Sequence, residues 1–446
     1  MDRELLAWSR SPHRKPLILR GARQTGKTAT IRNLGRSFEL YLELNLERPE
    51  DRRLVEQSES AKGLVGALLG RAGVAAMPQH TLLFLDEIQQ SPKAVFLLRY
   101  LYEDMPELAV AAAGSLLEVR LAGRDFAFPV GRVTYRYLHP MSFLEFLDAT
   151  GKEVLARNLR ESVRGGEPIR GAMHQVALGE LRDYLWVGGM PEAVARWGAN
   201  RSPVGVRQIQ ADIRQTFADD LQRYGAASAT MDAVFLALHN HYGQRFKYEN
   251  FVQGIGAAPI KAALSALDNA MIVRICQPTT DVLPPLRPRP KAAPKLLPLD
   301  VGIALAELGV TLPEVGTGSL DGLVDGRIAE IFVGQQILSA RTSTNPPLQF
   351  WVGEGGTEAE IDYLLPLSSG PLPVEVKAGK QGTLRSLHRY LHRSGRQEGV
   401  RLYSGPQLEE QHTVQLEDGP LNYTLRSWPL YLAELLELEE EQQESA

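Results

Sequence analysis

The chain reads as an α/β protein with a parallel-sheet core at its N-terminus, a helical middle and a second α/β unit at its C-terminus. Two observations predict this. Apolar runs at Pro16–Arg20, Leu40–Leu46, Thr81–Leu85 and Leu108–Ala113 alternate with helical stretches, the pattern of parallel strands joined by crossover helices. The runs end on Gly21, on Asp86-Glu87 and on Gly114-Ser115. In an open α/β sheet that is the edge where ligands bind.

Composition bounds the rest. The sequence has 446 residues, 44% hydrophobic and 23% charged, ordinary globular usage with room for two to four domains. With a net charge of −4, any nucleic-acid site has to be a local basic patch. Cys276 is the single cysteine, so no internal disulfide and no cysteine zinc site can form. No run of eighteen apolar residues occurs, so no membrane-spanning helix is expected. The N-terminus opens on Asp2, Arg3 and Glu4 without a secretory h-region, and a cytoplasmic protein is expected.

The first apolar run feeds Gly21-Ala22-Arg23-Gln24-Thr25-Gly26-Lys27-Thr28, a full match to G-x-x-x-x-G-K-[ST]. The glycines let the backbone curl so that its N–H groups face phosphates. A helix pattern starts at Thr28 and adds its N-terminal dipole. ATP and Mg²⁺ are the expected ligands: Lys27 would reach the β- and γ-phosphates, and the Thr28 hydroxyl would hold the metal. Asp86, ending a run of four apolar residues, would coordinate Mg²⁺ through water, with Glu87 placed to polarise the attacking water. Ser115 would sense the γ-phosphate or be a turn serine. Arg132, in Gly131-Arg132-Val133, reads equally as an arginine finger or lid contact and as an exposed salt-bridge residue.

Residues 1–150 are thus expected to form the P-loop core. Residues 151–225 read as a helical lid or connector. Residues 226–280 read helix, short helix, helix, strand, which suits a winged-helix-like module and nearly as well any small helical bundle. Lys261 is the only basic residue in its recognition-helix position, which argues for packing over sequence reading. Residues 281–298 contain six prolines and read as an extended connection. Residues 299–432 start a new α/β unit, and the acidic tail 433–446 is expected to fray.

In that last unit, Glu330 falls on a predicted helix over Gly326–Ala340 and Asp362 at the start of an apolar strand. Glu375 and Lys377, two apart on the next strand, share a face. This resembles the PD-(D/E)XK nuclease arrangement of helix Glu, then Asp, then Glu-x-Lys. The resemblance implies that carboxylates, Asp362 and Glu375 foremost, hold Mg²⁺ and that Lys377 activates water and stabilises the transition state. On the helix after it, Arg385, Arg389, His392 and Arg393 lie off the Leu384/Leu387/Leu391 face. They read as a phosphate-backbone contact or as a solvated cationic face.

Further motifs are Asn45-Leu46-Glu47, Leu85-Asp86-Glu87-Ile88-Gln89, Ala113-Gly114-Ser115, Leu138-His139-Pro140-Met141-Ser142-Phe143-Leu144-Glu145-Phe146 and Gly188-Gly189-Met190-Pro191-Glu192. With the P-loop, they resemble AAA-type ATPases (AAA_14-like) of bacteria and archaea, and the C-terminal part looks like the DUF4143 domain that accompanies them. Ala113 stands where a threonine is usual, and an insertion precedes Gly131. The resemblance implies an ATP hydrolase coupled to a nuclease-like domain that binds or cuts DNA, branched DNA included, and that works as a homo-oligomer if a neighbour supplies an arginine. The alternative is an ATP-dependent regulatory or defence switch whose nuclease-like domain only binds partners.

Overall fold

The computed structural model describes residues 1–114, 131–223, 229–289, 291–310, 326–343, 347–354, 359–379, 384–416 and 419–436. Two compact units emerge. One comprises Met1–His139 with Asn269–Met271 and the segment beginning at Arg341; the other holds the rest.

The first unit is built on five parallel strands: β1 (Leu17–Arg20), β2 (Leu40–Asn45), β3 (Thr81–Asp86), β4 (Ala109–Ala113) and β5 (Thr134–Tyr137). Their order is β2-β3-β4-β1-β5. Alternation along β3 explains why its run is wholly apolar. Leu82 and Phe84 pack on one face with Leu5, Trp8, Ile31 and Leu34. Leu83 and Leu85 pack on the other with Val55, Leu64, Val95 and Leu98. Both faces are covered, so the four central positions Leu82–Leu85 are all hydrophobic. The covering helices are α1 (Asp2–Arg10) and α2 (Lys27–Gly35) on the first face, and α3 (Pro49–Gln57), α4 (Ala61–Ala72) and α5 (Pro92–Asp104) on the second. Strand order reverses at β1, between β4 and β5, and the P-loop leaves β1 at that switch point.

The second unit begins with helices α6 (Phe143–Ala149), α7 (Glu153–Val163), α8 (Gly171–Val187), α9 (Pro191–Asn200), α10 (Pro203–Arg223), α11 (Ala229–Ala237) and α12 (Ala257–Asn269). Ser142 and Glu145 form a reciprocal capping box at the start of α6, a physical reason for the Met-Ser-Phe-Leu-Glu sequence. Phe143 and Phe146 meet Tyr184 edge-on, which places α6 with the second unit rather than with the core over 1–150.

The sheet of this unit has eight strands in the order β12-β13-β11-β10-β9-β8-β6-β7. They are β6 (Val273–Thr279), β7 (Lys295–Pro298), β8 (Gln349–Val352), β9 (Glu360–Leu367), β10 (Gly370–Val376), β11 (Glu398–Tyr403), β12 (Leu408–Leu416) and β13 (Gly419–Pro429). Helix α13 (Val301–Glu307) follows β7, α14 (Gly326–Ala340) precedes β8, and α15 (Arg385–Ser394) connects β10 to β11. From α14 to β11 the chain runs helix, antiparallel β8-β9-β10, helix, and a strand parallel to β10. α15 lays Leu387, Tyr390 and Leu391 on Ile361, Leu364, Tyr423 and Leu425.

Two expectations are corrected. The segment 281–298 is not connection throughout, because Lys295–Pro298 pairs antiparallel with β6 as a buried strand at the sheet edge. Its outer side is met only by isolated bridges from Tyr242 and Arg245, and its proline falls at the strand's end, where it is tolerated. The tail does not fray from Ala433. A 3₁₀ turn over Leu430–Leu435 buries Ala433 and Leu435, and Leu436 is buried beyond it.

Candidate functional site

The P-loop is shaped by two left-handed backbone positions, Gln24 at φ 64° and Gly26 at φ 96°. Gly26 is also the N-cap of α2, so the turn delivers the free N–H groups of that helix to the loop's concave side. Thr25 braces the turn by donating from Oγ1 to Ala22 O at 2.9 Å. Gly21 has no room for a side chain: a Cβ there would collide with Leu138 O.

Lys27 is only 7% exposed and donates from Nζ to Gly21 O at 3.1 Å and Ala22 O at 2.7 Å. Burial pushes its pKa down to about 8, against the pull of Glu87 and Asp86. Thr28 Oγ1 donates to Asp86 Oδ2 at 2.9 Å, and the Glu87 N–H donates to Asp86 Oδ1 at 3.1 Å. β3 and the P-loop therefore bring Thr28, Asp86 and Lys27 together as the sequence reading expects. A hydroxyl and a carboxylate side by side are hard oxygen donors, the set that Mg²⁺ takes.

Glu87 sits in a left-handed conformation, φ 52° and ψ 44°, uncommon for a residue with a side chain. Burial raises its pKa and that of Asp86. Its Oε2 accepts a short hydrogen bond from Gln89 Nε2. Gln89 is 3% exposed, and its Oε1 has no hydrogen-bond partner. That oxygen lies against Gly114, where a Cβ would collide with it. Gln89 is thus a site residue that the motif reading named without a role. The signal was present in the sequence, an amide two residues past the glutamate and a glycine at the end of the next strand.

The other nucleotide-site candidates fall differently. Arg132 is half-exposed and pairs through Nε with Glu103 Oε1 at 3.2 Å, a residue that also binds Arg99. Arg23 makes a long contact to Glu47 at 3.8 Å. Ser115 lies outside the described residues.

In the second unit, Glu330 on α14 and Asp362 on β9 do converge, but around a residue that sequence reading placed in a connection, while Glu375 on β10 pairs with Lys377. Lys295 is 4% exposed. Its Nζ lies 2.8 Å from Glu330 Oε2, 2.5 Å from Glu360 Oε1 and 3.4 Å from Asp362 Oδ1. Asp362 Oδ2 accepts the Val376 N–H at 2.8 Å, and Lys377 Nζ contacts Glu375 Oε1 at 2.5 Å. Burial raises the pKa of Glu330 and of Glu375, and the Asp362 charge adds to both shifts. The three carboxylates around Lys295 raise its own pKa in spite of burial. Among the described residues, no group of three or more His, Cys, Asp or Glu side chains is gathered to hold a metal ion. His388 binds the Tyr423 hydroxyl at 2.9 Å.

The Gly188-Gly189 motif has a structural reason. Gly188 adopts φ 76°, ψ −170°, which requires glycine. The buried Asp300 carboxylate accepts the Gly189 N–H at 2.6 Å and the Ile303 N–H at 3.0 Å, capping α13. A Cβ on Gly188 would collide with that carboxylate.

Comparison with known proteins gives three matches along the chain. The family model described as an AAA domain (AAA_14) matches residues 13–147. Two domains of unknown function match further on, DUF8612 over 178–314 and DUF4143 over 325–417. No curated protein matches the chain. Among solved structures, similarity is found to the Walker-type ATPase PABY2304 of Pyrococcus abyssi, at 14% identity and TM-score 0.43, covering 69% of this chain and 94% of that one. It is also found to the ORC2 protein of Aeropyrum pernix in ADPNP–ADP complexes, at 13% identity and TM-score 0.31, covering 61% and 86%. The STAND protein PH0952 of Pyrococcus horikoshii, with a tetratricopeptide repeat sensor, matches at 12% identity and TM-score 0.27, covering 75% and 44%. Among the described residues no helix is long and apolar enough to cross a membrane. Lys27, Thr28, Asp86 and Glu87 are gathered at the switch point of a 2-3-4-1-5 parallel sheet, inside the residues 13–147 that match the AAA domain, while residues 325–417 match DUF4143.

Proposed function

We propose that this protein is a Mg²⁺-dependent ATP hydrolase that engages DNA through its C-terminal α/β domain. The observation that carries the first half is the hydrogen bond from Thr28 Oγ1 to Asp86 Oδ2, which joins the P-loop to the end of β3 beside Glu87. When bound there, Mg²⁺ would neutralise phosphate charge from a position held by Thr28 with Asp86 behind it. On nucleotide binding, Lys27 exchanges the carbonyls of Gly21 and Ala22 for phosphate oxygens. Glu87, held by Gln89, takes the proton of the attacking water as it adds in line to the γ-phosphorus, the bond from that phosphorus to the β–γ bridging oxygen breaks, and ADP leaves with inorganic phosphate as the other product.

The second half rests on Glu330 on α14, Asp362 on β9 and Glu375 and Lys377 at the end of β10, an order that resembles the helix-Glu, Asp, Glu-x-Lys arrangement of PD-(D/E)XK nucleases. It rests also on the exposed Arg385, Arg389, His392 and Arg393 of α15, a row of donors that suits a phosphate backbone. A second reading, an ATP-dependent switch that binds a protein partner, is favoured by the acidic overall balance and by Lys261 standing alone among the basic residues of α12.

The test measures ATP turnover with and without linear, circular, single-stranded and junction DNA, with reaction products run on the same samples. DNA-stimulated turnover supports the reading. Turnover indifferent to every DNA removes DNA from it and leaves the switch.

A further inference from the structure

The carboxylate cluster of the C-terminal domain already contains a cation. Lys295 reaches it from β7 and sets its ammonium among Glu330, Glu360 and Asp362, 5.0 Å from the centre of the Phe350 ring. Other groups of the cluster are engaged as well. Asp362 Oδ2 holds the Val376 N–H, Lys377 holds Glu375 Oε1, and Arg245 holds the other oxygen of Glu360 at 3.3 Å. Mg²⁺ requires oxygens about 2.0–2.1 Å from one common point. Here the point shared by Glu330, Glu360 and Asp362 is taken by a covalently attached ammonium, which would also repel a divalent ion placed beside it in a buried site. Glu375 Oε2 alone is buried without a partner, too little for a site.

We infer that Lys295 is the permanent cation of this cluster, so that the domain takes no divalent metal there and engages its partner without metal-dependent phosphodiester cleavage. The inference uses the nuclease-like reading only for the expectation of a metal, and it is independent of the ATPase site. Lys295 ties the edge strand β7 to α14 and β9, which gives the lysine a structural role that a loosely bound metal would not fill.

The test is Mn²⁺ titration of the full chain without nucleotide, followed by calorimetry and by the electron paramagnetic resonance of free Mn²⁺. The wild-type protein and Asp362→Asn should give the same isotherm. Lys295→Met, which removes the ammonium and keeps the stem, should gain one Mn²⁺ site that disappears in Lys295→Met/Asp362→Asn. A wild-type Mn²⁺ site abolished by Asp362→Asn overturns the inference, and this arm stands even if Lys295→Met does not fold. A folded Lys295→Met that gains no site overturns it as well. Gel shifts in EDTA separate the two proposals. DNA binding absent both in EDTA and with Mg²⁺ removes the DNA reading and leaves the Mn²⁺ result standing.

Discussion

Gln89 donates its amide to the carboxylate of Glu87, the residue that faces the P-loop lysine, and it fits there because Gly114 has no side chain. This contact holds the residue proposed to polarise water, and Gln89 itself packs against Gly114. Gln89→Ala should therefore lower kcat by about tenfold and leave KM for ATP within about twofold, since a hydrogen bond to a charged group contributes roughly 1.5–3 kcal/mol. Gly114→Ala, which displaces Gln89, should reproduce the effect, and the double variant should be no worse than either alone. Steady-state kinetics of the three variants checks this, and additive losses would separate Gln89 from Gly114.

In the proposed site Lys27 would supply the charge that compensates the phosphates. Lys27→Ala should abolish hydrolysis and weaken ATP binding by more than tenfold, as losing a charged hydrogen bond of about 1.5–3 kcal/mol requires. Unchanged turnover in this variant would take the P-loop out of the reaction.

The same lysine sets a pH dependence. Burial brings its pKa down to about 8, so it begins to lose its proton in mildly alkaline solution before nucleotide is bound. Bound phosphate favours the ammonium. ATP affinity should be flat near pH 7 and fall as pH rises through 8, with a proton taken up on binding at pH 8.5. Calorimetry in two buffers of different ionisation enthalpy measures that uptake. Proton release, or no exchange at all, would contradict the assignment.

Asp300 holds the Gly188-Gly189 turn and the start of α13 from a fully buried position. Asp300→Ala strands two buried N–H donors, each costing about 1–3 kcal/mol. Gly188→Ala adds a collision and a disfavoured backbone conformation. Each variant should lose about 2–5 kcal/mol in urea unfolding, with ATP affinity per folded molecule unchanged. Losses under 0.5 kcal/mol would mean that the turn does not depend on this carboxylate.

The nucleotide site was legible because its chemistry is local. A strand, a glycine turn and a helix start are contiguous from Leu17 to Gly35, and Asp86-Glu87 directly follows the four apolar residues Leu82–Leu85 of β3. Periodicity also located α8, α10 and α14. The edge strand β7 was not legible, since four residues after a proline cluster carry no alternation to read, and with it Lys295 was missed. The hairpin β12–β13 was missed because β12 buries almost nothing and so carries no hydrophobic pattern. Glu375 and Lys377 were rightly read as sharing a face. Which cation stands beside Asp362 depends on a residue 67 positions away, beyond any local pattern.

The most direct measurement on the central claim is single-turnover hydrolysis of Mg-ATP by the wild type and by Glu87→Gln. The wild type should convert bound ATP to ADP and phosphate. Glu87→Gln should bind ATP with similar affinity and cleave it at least about 100-fold more slowly, the scale of a lost general base. Equal cleavage rates in the two proteins would contradict the site described at the end of β3.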